Sequence, residues 1–186
     1  MDRRVVLCAL AFGLALAASP SAQAQRPADR YTFKAGKAGE ETRLELVINR
    51  YSSTAERDMV FNAARQDVSK IMGALENPGV VGWIHLPGGL DHTIRYARRV
   101  TRPDGSTDVI VLAEGPAWIW WHPVNVDNSK RYGFTVIQLR LDRMGSGEGK
   151  LSAMSVAADQ DAGVILADFA KEPALLTEVR REASAS

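Results

Sequence analysis

Four tryptophans are the side chains of this sequence best suited to hold a flat or apolar ligand. Trp118, Trp120 and Trp121 lie within four positions, and Trp83 completes the set. In a strand, Trp118 and Trp120 would share one face while Trp121 points to the other. Tryptophan packs well against aromatic and apolar molecules, although aromatic side chains more often pack in the core. We predict an aromatic ligand-binding region here and assign Tyr96 to it as well.

Three histidines are the candidates for metal or acid–base chemistry. They are His85, His92 and His122, and Asp91 is the nearest carboxylate partner. Three imidazoles can bind a metal ion and leave one coordination position open. No two of them have the spacing of ligands on one helix turn or one strand face, so three unrelated histidines are the simpler interpretation. The sequence therefore predicts no cofactor, with a metal site at these four residues as the alternative.

A run of arginines follows the histidines. Arg95 and Arg99 would share one face of a strand, and Arg98 and Arg102 the other. A display on two faces is typical of an edge strand, where charge blocks unwanted sheet pairing. A specific anion site is the alternative. Binding of nucleic acid would need a wider basic field than this chain offers.

Sequence signatures of common enzymes are missing. Gly145, Gly147 and Gly149 resemble a phosphate loop, but such a loop must join a strand to a helix, and here two strands are predicted around it. A flexible hairpin turn is therefore expected. There is no Gly-x-Ser-x-Gly elbow and no His-Glu-x-x-His motif. A site assembled from scattered residues stays open, because such sites form only in space.

One helix is expected to organise these groups. Ser53 and Glu56 have the spacing of a capping box, and an apolar stripe follows at three- and four-residue steps. The stripe consists of Val60, Ala64, Val68, Ile71 and Leu75. The pattern predicts one long amphipathic helix near residues 54–76, ended by the Asn-Pro-Gly sequence at 77–79.

Short segments of β character separated by turn residues fill the rest of the chain. Strands are expected at residues 30–34, 43–51, 80–86, 92–101, 108–113, 117–122, 132–141, 150–157, 164–169 and 175–180. The fold class is therefore α+β, mainly β: a single antiparallel β-barrel or sandwich of about eight or nine strands with one helix.

Residues 1–24 have the features of a cleaved signal peptide. Two arginines precede an apolar run, and Ala22 and Ala24 supply the small residues of a cleavage site. We expect export by the general secretory route, rather than the twin-arginine route, to the periplasm or the medium. Residues 25–186 would then form a single exported β-rich domain. No second long apolar segment exists, so no stable membrane span is expected after cleavage.

Charge and cysteine content narrow the function further. The chain has 23 basic and 22 acidic residues, and loss of residues 1–24 would leave 21 of each. A net charge near zero gives no general attraction to nucleic acid or anionic membranes. The one cysteine, Cys8, would leave with the signal peptide, which excludes disulfides and thiolate chemistry from the mature domain.

Two blocks resemble a family of small uncharacterised secreted bacterial proteins. They are the stretch at residues 51–66, which starts Tyr-Ser-Ser-Thr-Ala-Glu-Arg-Asp, and the Gly-Glu-Gly-Lys-Leu at 147–151. The resemblance would cover most of the mature chain. It implies an exported single domain and carries no assigned activity or site residues.

Three functional hypotheses follow. The leading one is a non-catalytic exported domain that binds a small apolar or aromatic ligand, or an envelope protein, through the region of Trp83 and Trp118–Trp121. The second is a hydrolase or metal-dependent enzyme that uses His85, His92, His122 and Asp91. The third is a structural or inhibitory protein that acts through an exposed sheet edge.

Overall fold

Eight antiparallel strands close into a barrel in the computed structural model of this protein. The structure describes residues 28–36, 41–89, 91–115, 133–152, 155–171 and 174–182. Two further short strands form a separate two-stranded sheet. The predicted mainly β fold is confirmed, and of barrel and sandwich the barrel is the one observed.

The strands have the following bounds: β1 Asp29–Ala35, β2 Thr42–Ile48, β3 Gly82–His85, β4 His92–Thr101, β5 Thr107–Glu114, β6 Phe134–Leu141, β7 Ser146–Ser152, β8 Val156–Asp159, β9 Gly163–Leu166 and β10 Ala174–Arg181. Around the barrel they follow the order β1-β10-β7-β6-β5-β4-β3-β2, and β8 and β9 form the separate sheet. The predicted strand at 117–122 lies outside the described residues. The predicted strand at 150–157 is two strands, β7 and β8, which belong to different sheets.

Apolar side chains fill the barrel interior along most of its length. Alternate residues of each strand point inward, and those on β1 and β2 include Phe33, Leu44 and Leu46, all almost fully buried. Ile84 and Val111 continue this core across the barrel. An eight-stranded barrel is just wide enough for its own side chains to fill it, and these leave the described interior packed.

The helical segment is confirmed at its start and wrong in its length. Ser53 Oγ accepts a hydrogen bond from the Glu56 amide at 3.2 Å, and the Glu56 carboxylate accepts one from the Ser53 amide at 2.6 Å. Helix α1 (Thr54–Gln66) nevertheless ends at Asp67, whose backbone is extended. Asp67 then caps a 3₁₀ turn by accepting from the Ser69 amide at 2.9 Å, and a short helix α2 (Ile71–Ala74) follows. An aspartate that bonds its own following backbone competes with a continuous helix.

A second apolar core, which we call the outer core, lies on the outside of the barrel. Val60 of α1, together with Ile71 and Leu75 of the α2 region, packs against outward-facing residues of β4–β6 and against the β8–β9 hairpin. The apolar stripe predicted from the sequence is this contact face. Because this face covers the outside of the barrel at β5 and β6, nearly all residues of these two strands are buried, those that point inward and those that point outward.

The glycine run was expected to be a turn but lies largely in strand β7. The turn comes earlier, at residues 142–145, and Gly145 has a φ of 79° there. A Cβ at Gly147 would lie 1.8 Å from the Arg140 carbonyl oxygen, and one at Gly149 would lie 2.6 Å from the Leu139 side chain. These glycines therefore permit close approach of β6 to β7.

The edge-strand interpretation of the arginine run is wrong. Strand β4 pairs with β3 on one side and with β5 on the other. Its register shifts between Ile94 and Tyr96, and Arg95 reaches the outward Glu114, with its Nε 2.6 Å from the carboxylate. The bulge changes the alternation, so Arg95 and Arg99 do not share a face.

Candidate functional site

A ring of polar side chains replaces the apolar core at one end of the barrel. Strands β1 and β5 begin at this end, and β4, β6 and β10 finish there. Register places Tyr31 opposite Arg181, and Thr107 opposite both Thr101 and Leu141. Arg99 lies two positions before Thr101 and so on the same inner face. We call this ring the barrel mouth.

A buried carboxylate anchors the mouth. The Asp29 side chain is 1% exposed, and its Oδ1 accepts hydrogen bonds from Arg181 Nε at 2.6 Å and Nη2 at 2.5 Å. Its Oδ2 accepts from Arg99 Nη1 at 3.1 Å and from the Tyr51 hydroxyl. Charge-assisted bonds of this kind fix both guanidiniums, while each arginine side chain stays more than 40% exposed.

Two tyrosines extend this network to the cavity floor. The Tyr51 hydroxyl donates to Asp29, so its oxygen is left to accept from the Tyr31 hydroxyl 3.0 Å away. Burial raises the pKa of Tyr31 to about 12 and raises the pKa of Tyr51 further. Both phenols are neutral at physiological pH. Arg99 also lies over the Tyr51 ring, 5.3 Å from its centroid, which restricts the guanidinium further.

The mouth holds a cavity of about 270 Å³. Its walls are Tyr31, Arg99, Thr101, Gly105, Thr107, Leu141, Asp142, Arg143, Gly145 and Arg181. Arg143 comes from the β6–β7 turn and donates through Nη2 to the Asp104 carbonyl at 2.7 Å. Gly105 has a φ of 84°, and a Cβ there would meet Arg143 Nε at 2.5 Å, so glycine allows the two hairpin turns to touch.

Donors dominate the lining of this cavity. Arg99, Arg143 and Arg181 contribute guanidiniums, and the two threonines contribute hydroxyls. Asp29 is occupied by its bonds to the network, and Asp142 accepts at Oδ1 from the Met144 and Ser146 amides at 2.8 and 2.9 Å. An anionic group is therefore the ligand part that this lining suits best. Neutral tyrosines of high pKa do not act as bases, so the arrangement suits binding.

A second buried carboxylate lies outside the barrel. Asp108 is 5% exposed and accepts from Arg102 at 2.5 and 3.0 Å. Gln138 donates to Asp108 at 3.2 Å and accepts from the Leu166 amide at 3.0 Å. Arg140 lies 3.8 Å from Asp108 and stacks on the Phe169 ring at 4.0 Å. This second cluster fastens the β8–β9 hairpin to the barrel.

Of the predicted aromatic residues the structure describes Trp83 and Tyr96, and the two differ in exposure. Trp83 lies on the outer face of β3 with 37% of its surface exposed. Tyr96 is fully buried in the outer core, where its hydroxyl donates to the Ala162 carbonyl at 2.7 Å. Trp118, Trp120 and Trp121 lie outside the described residues.

The predicted histidine group is assembled only in part. His85 Nδ1 lies 2.7 Å from Asp91 Oδ1, and both side chains are half exposed. His92 stands opposite Ile84, and burial lowers the pKa of its imidazole. His122 lies outside the described residues. Within the described ranges, no three histidine, aspartate, glutamate or cysteine side chains are placed to share a metal ion.

Sequence reasoning missed most of the barrel mouth. Of its arginines only Arg99 stood out, as part of the arginine run. Asp29, Tyr51 and Arg181 are scattered over more than 150 positions. Asp29 and Arg181 lie in no motif, and Tyr51 begins the block at 51–66, which carried no assigned role. The signal that could have found the site is a charged residue that points inward at the end of a strand. Which residues point inward there is known only once the register of the barrel is known.

Comparisons with known proteins identify no relative of this chain. No protein-family model, no curated protein and no solved structure matches this chain. The resemblance to small secreted bacterial proteins stays a prediction.

None of the helices in the described ranges is long and apolar enough to cross a membrane.

Proposed function

We propose that this chain is an exported, non-catalytic binding domain whose barrel mouth holds a small ligand by an anionic group. The observation that carries the proposal is the cavity at the barrel mouth, which is lined by three arginines and two threonines, two of the arginines being held by Asp29. Mouths of β-barrels are frequent binding sites, and arginines positioned by a buried carboxylate need little reordering to receive an anion.

The packed barrel interior favours the mouth over an internal apolar site. Apolar ligands of barrel proteins are held in the lumen, and here Phe33, Leu46 and Ile84 are among the side chains that occupy it. The ligand of this proposal is therefore polar, in contrast to the apolar ligand expected from the tryptophans.

Isothermal titration calorimetry at low ionic strength tests the proposal. The probes are acetate, gluconate and inorganic phosphate, because surface electrostatics are strongest when salt is low. We expect at least one of them to bind, and binding to weaken at least tenfold in Arg99→Gln and in Arg181→Gln. Arg140→Gln is the matched control, since it removes a guanidinium beside the other buried carboxylate. Absence of binding, or binding unchanged in both mouth variants, would refute the proposal.

A second candidate function is binding at the aromatic region predicted from the sequence. Trp83 and Val80 are exposed apolar side chains near the start of β3, at 37% and 50%. We propose that an apolar or aromatic ligand, or an envelope protein, binds this region with help from Trp118, Trp120 and Trp121. An apolar fluorescent probe whose emission rises with the native protein, and rises less with Trp83→Ala, would support this proposal. Equal emission from both proteins would count against it.

Export is proposed from the amino-terminal sequence. We propose that signal peptidase removes residues 1–24 and that the mature domain functions in the periplasm or the medium. Mass spectrometry and amino-terminal sequencing of the protein from fractionated cells test this step. A mature chain that begins at Gln25 in the exported fraction is expected, whereas an intact chain retained in the cytoplasm would contradict it.

A further inference from the structure

The size of the mouth cavity limits its ligand to a small molecule. A water molecule occupies about 30 Å³ of liquid, so 270 Å³ corresponds to about nine waters. Pockets for drug-sized ligands begin at about 300 Å³. A molecule of monosaccharide size fits such a space, whereas only part of a lipid chain or a peptide would be held within it.

The charge of the site favours a single negative charge on the ligand. Arg99, Arg143, Arg181 and Asp142 line the cavity. Asp29 lies just outside the lining but pairs directly with Arg99 and Arg181, so these five groups carry one net positive charge. Asp104 lies outside the lining and is held by the Ser106 amide and hydroxyl. A dianion such as phosphate would place its second charge near Asp142. A monocarboxylate matches the balance.

The remaining polar atoms suit hydroxyl groups. Tyr31 borders the cavity but is fully buried, and its hydroxyl bonds that of Tyr51. Asp142 is an acceptor in the lining, and the Thr101 and Thr107 hydroxyls both donate and accept. Leu141 is the one large aliphatic side chain among the lining residues. An unsubstituted aliphatic chain would leave these polar atoms without partners, which is costly.

We infer that the ligand of the barrel mouth is a small monocarboxylate that carries several hydroxyl groups, the chemistry of a hydroxy acid or sugar acid. This inference rests on the proposed binding at the mouth. The carboxylate contacts the arginines, and the hydroxyls contact the threonines and Asp142.

Four probes separate the parts of this inference by calorimetry. Gluconate has both groups, hexanoate has only the carboxylate, glucose has only the hydroxyls, and inorganic phosphate has the wrong charge. We expect gluconate to bind at least tenfold more tightly than each of the other three. Thr101→Val and Thr107→Val should reduce the preference for gluconate over hexanoate. Asp142→Asn keeps the acceptor that caps its turn, and it should improve phosphate binding relative to gluconate.

The outcomes distinguish the two levels of the proposal. If hexanoate, glucose or phosphate binds as tightly as gluconate, and Arg99→Gln weakens that binding, the ligand class is wrong while the binding site stands. If no probe binds, or if Arg99→Gln and Arg181→Gln leave binding unchanged, the site itself is refuted. Arg99→Lys retains a cation for Asp29 and serves if the glutamine variant does not fold, as judged by circular dichroism.

Discussion

Asp29 and Asp108 are two buried carboxylates that both pair with arginines but lie in opposite surroundings. Asp29 points into the barrel mouth, where its two arginines border a cavity. Asp108 points outward, and Gln138 and the β8–β9 hairpin close around it. Both carboxylates accept hydrogen bonds from arginine side chains at strand ends. The comparison shows that the residue pair alone does not make a site, since the space left beside it decides whether a ligand can reach the guanidiniums.

Removal of either buried charge gives the largest expected effect. Asp29→Asn and Asp108→Asn should each lower the free energy of unfolding by about 3 kcal/mol, because each leaves two arginines without their counter-ion. Urea denaturation measures this loss. The comparison is sharpened by calorimetry under conditions where both variants are folded: only Asp29→Asn should weaken gluconate binding. Equal loss of binding in both variants would break the comparison.

Loss of the amide that closes the second cluster comes next. Gln138→Ala should cost about 2 kcal/mol, because the Leu166 amide and Asp108 each lose a buried partner. Hydrogen exchange of the β8–β9 amides should accelerate more than that of β1 and β10. Uniform acceleration throughout the barrel would show that the cluster does not hold the hairpin in particular.

A smaller effect is expected from the hydroxyl that links Asp29 to Tyr31. Tyr51→Phe keeps the ring under Arg99 and removes the hydrogen bond to the carboxylate, at a cost of about 1.5 kcal/mol. Tyr96→Phe removes a hydroxyl that bonds a neutral carbonyl in the outer core and should cost less, about 1 kcal/mol. Thermal or urea unfolding compares the two. A larger loss for Tyr96→Phe would contradict the stronger, charge-assisted role of Tyr51.

Alkaline pH tests the mouth through the ionisation of Tyr31, whose effect is absent at physiological pH. The folded state raises the pKa of Tyr31 from 10 to about 12, so it favours the protonated phenol. The associated stability is fully present below pH 10 and is lost as the pH rises towards 12. Between these values, Tyr31→Phe should reduce the slope of unfolding free energy against pH by about 1.4 kcal/mol per unit. Arg140→Gln should keep the original slope. An unchanged slope in Tyr31→Phe would refute the raised pKa of Tyr31 in the folded state.

Local sequence patterns predicted the parts of the fold that local physics controls. The capping box of Ser53 and Glu56 starts α1 as expected, because both bonds lie within one helical turn. The Arg50 guanidinium binds the same glutamate and holds its pKa down at about 2. The end of the helix could not be predicted from periodicity, since Asp67 interrupts a stripe whose apolar residues continue on the 3₁₀ turn and α2.

The barrel mouth depended on contacts distant in the chain. Sequence patterns were sufficient to predict a strand-rich domain, one capped helix, an apolar stripe and the arginine run that contains Arg99. The pairing of β1 with β10, which brings Asp29 to Arg181 across 152 positions, follows only from the three-dimensional fold. The bulge in β4 and the inward direction of Arg99 depend on the same fold. Barrel closure and register arise from the packing of all eight strands at once, and no local spacing encodes which charges will face the same cavity.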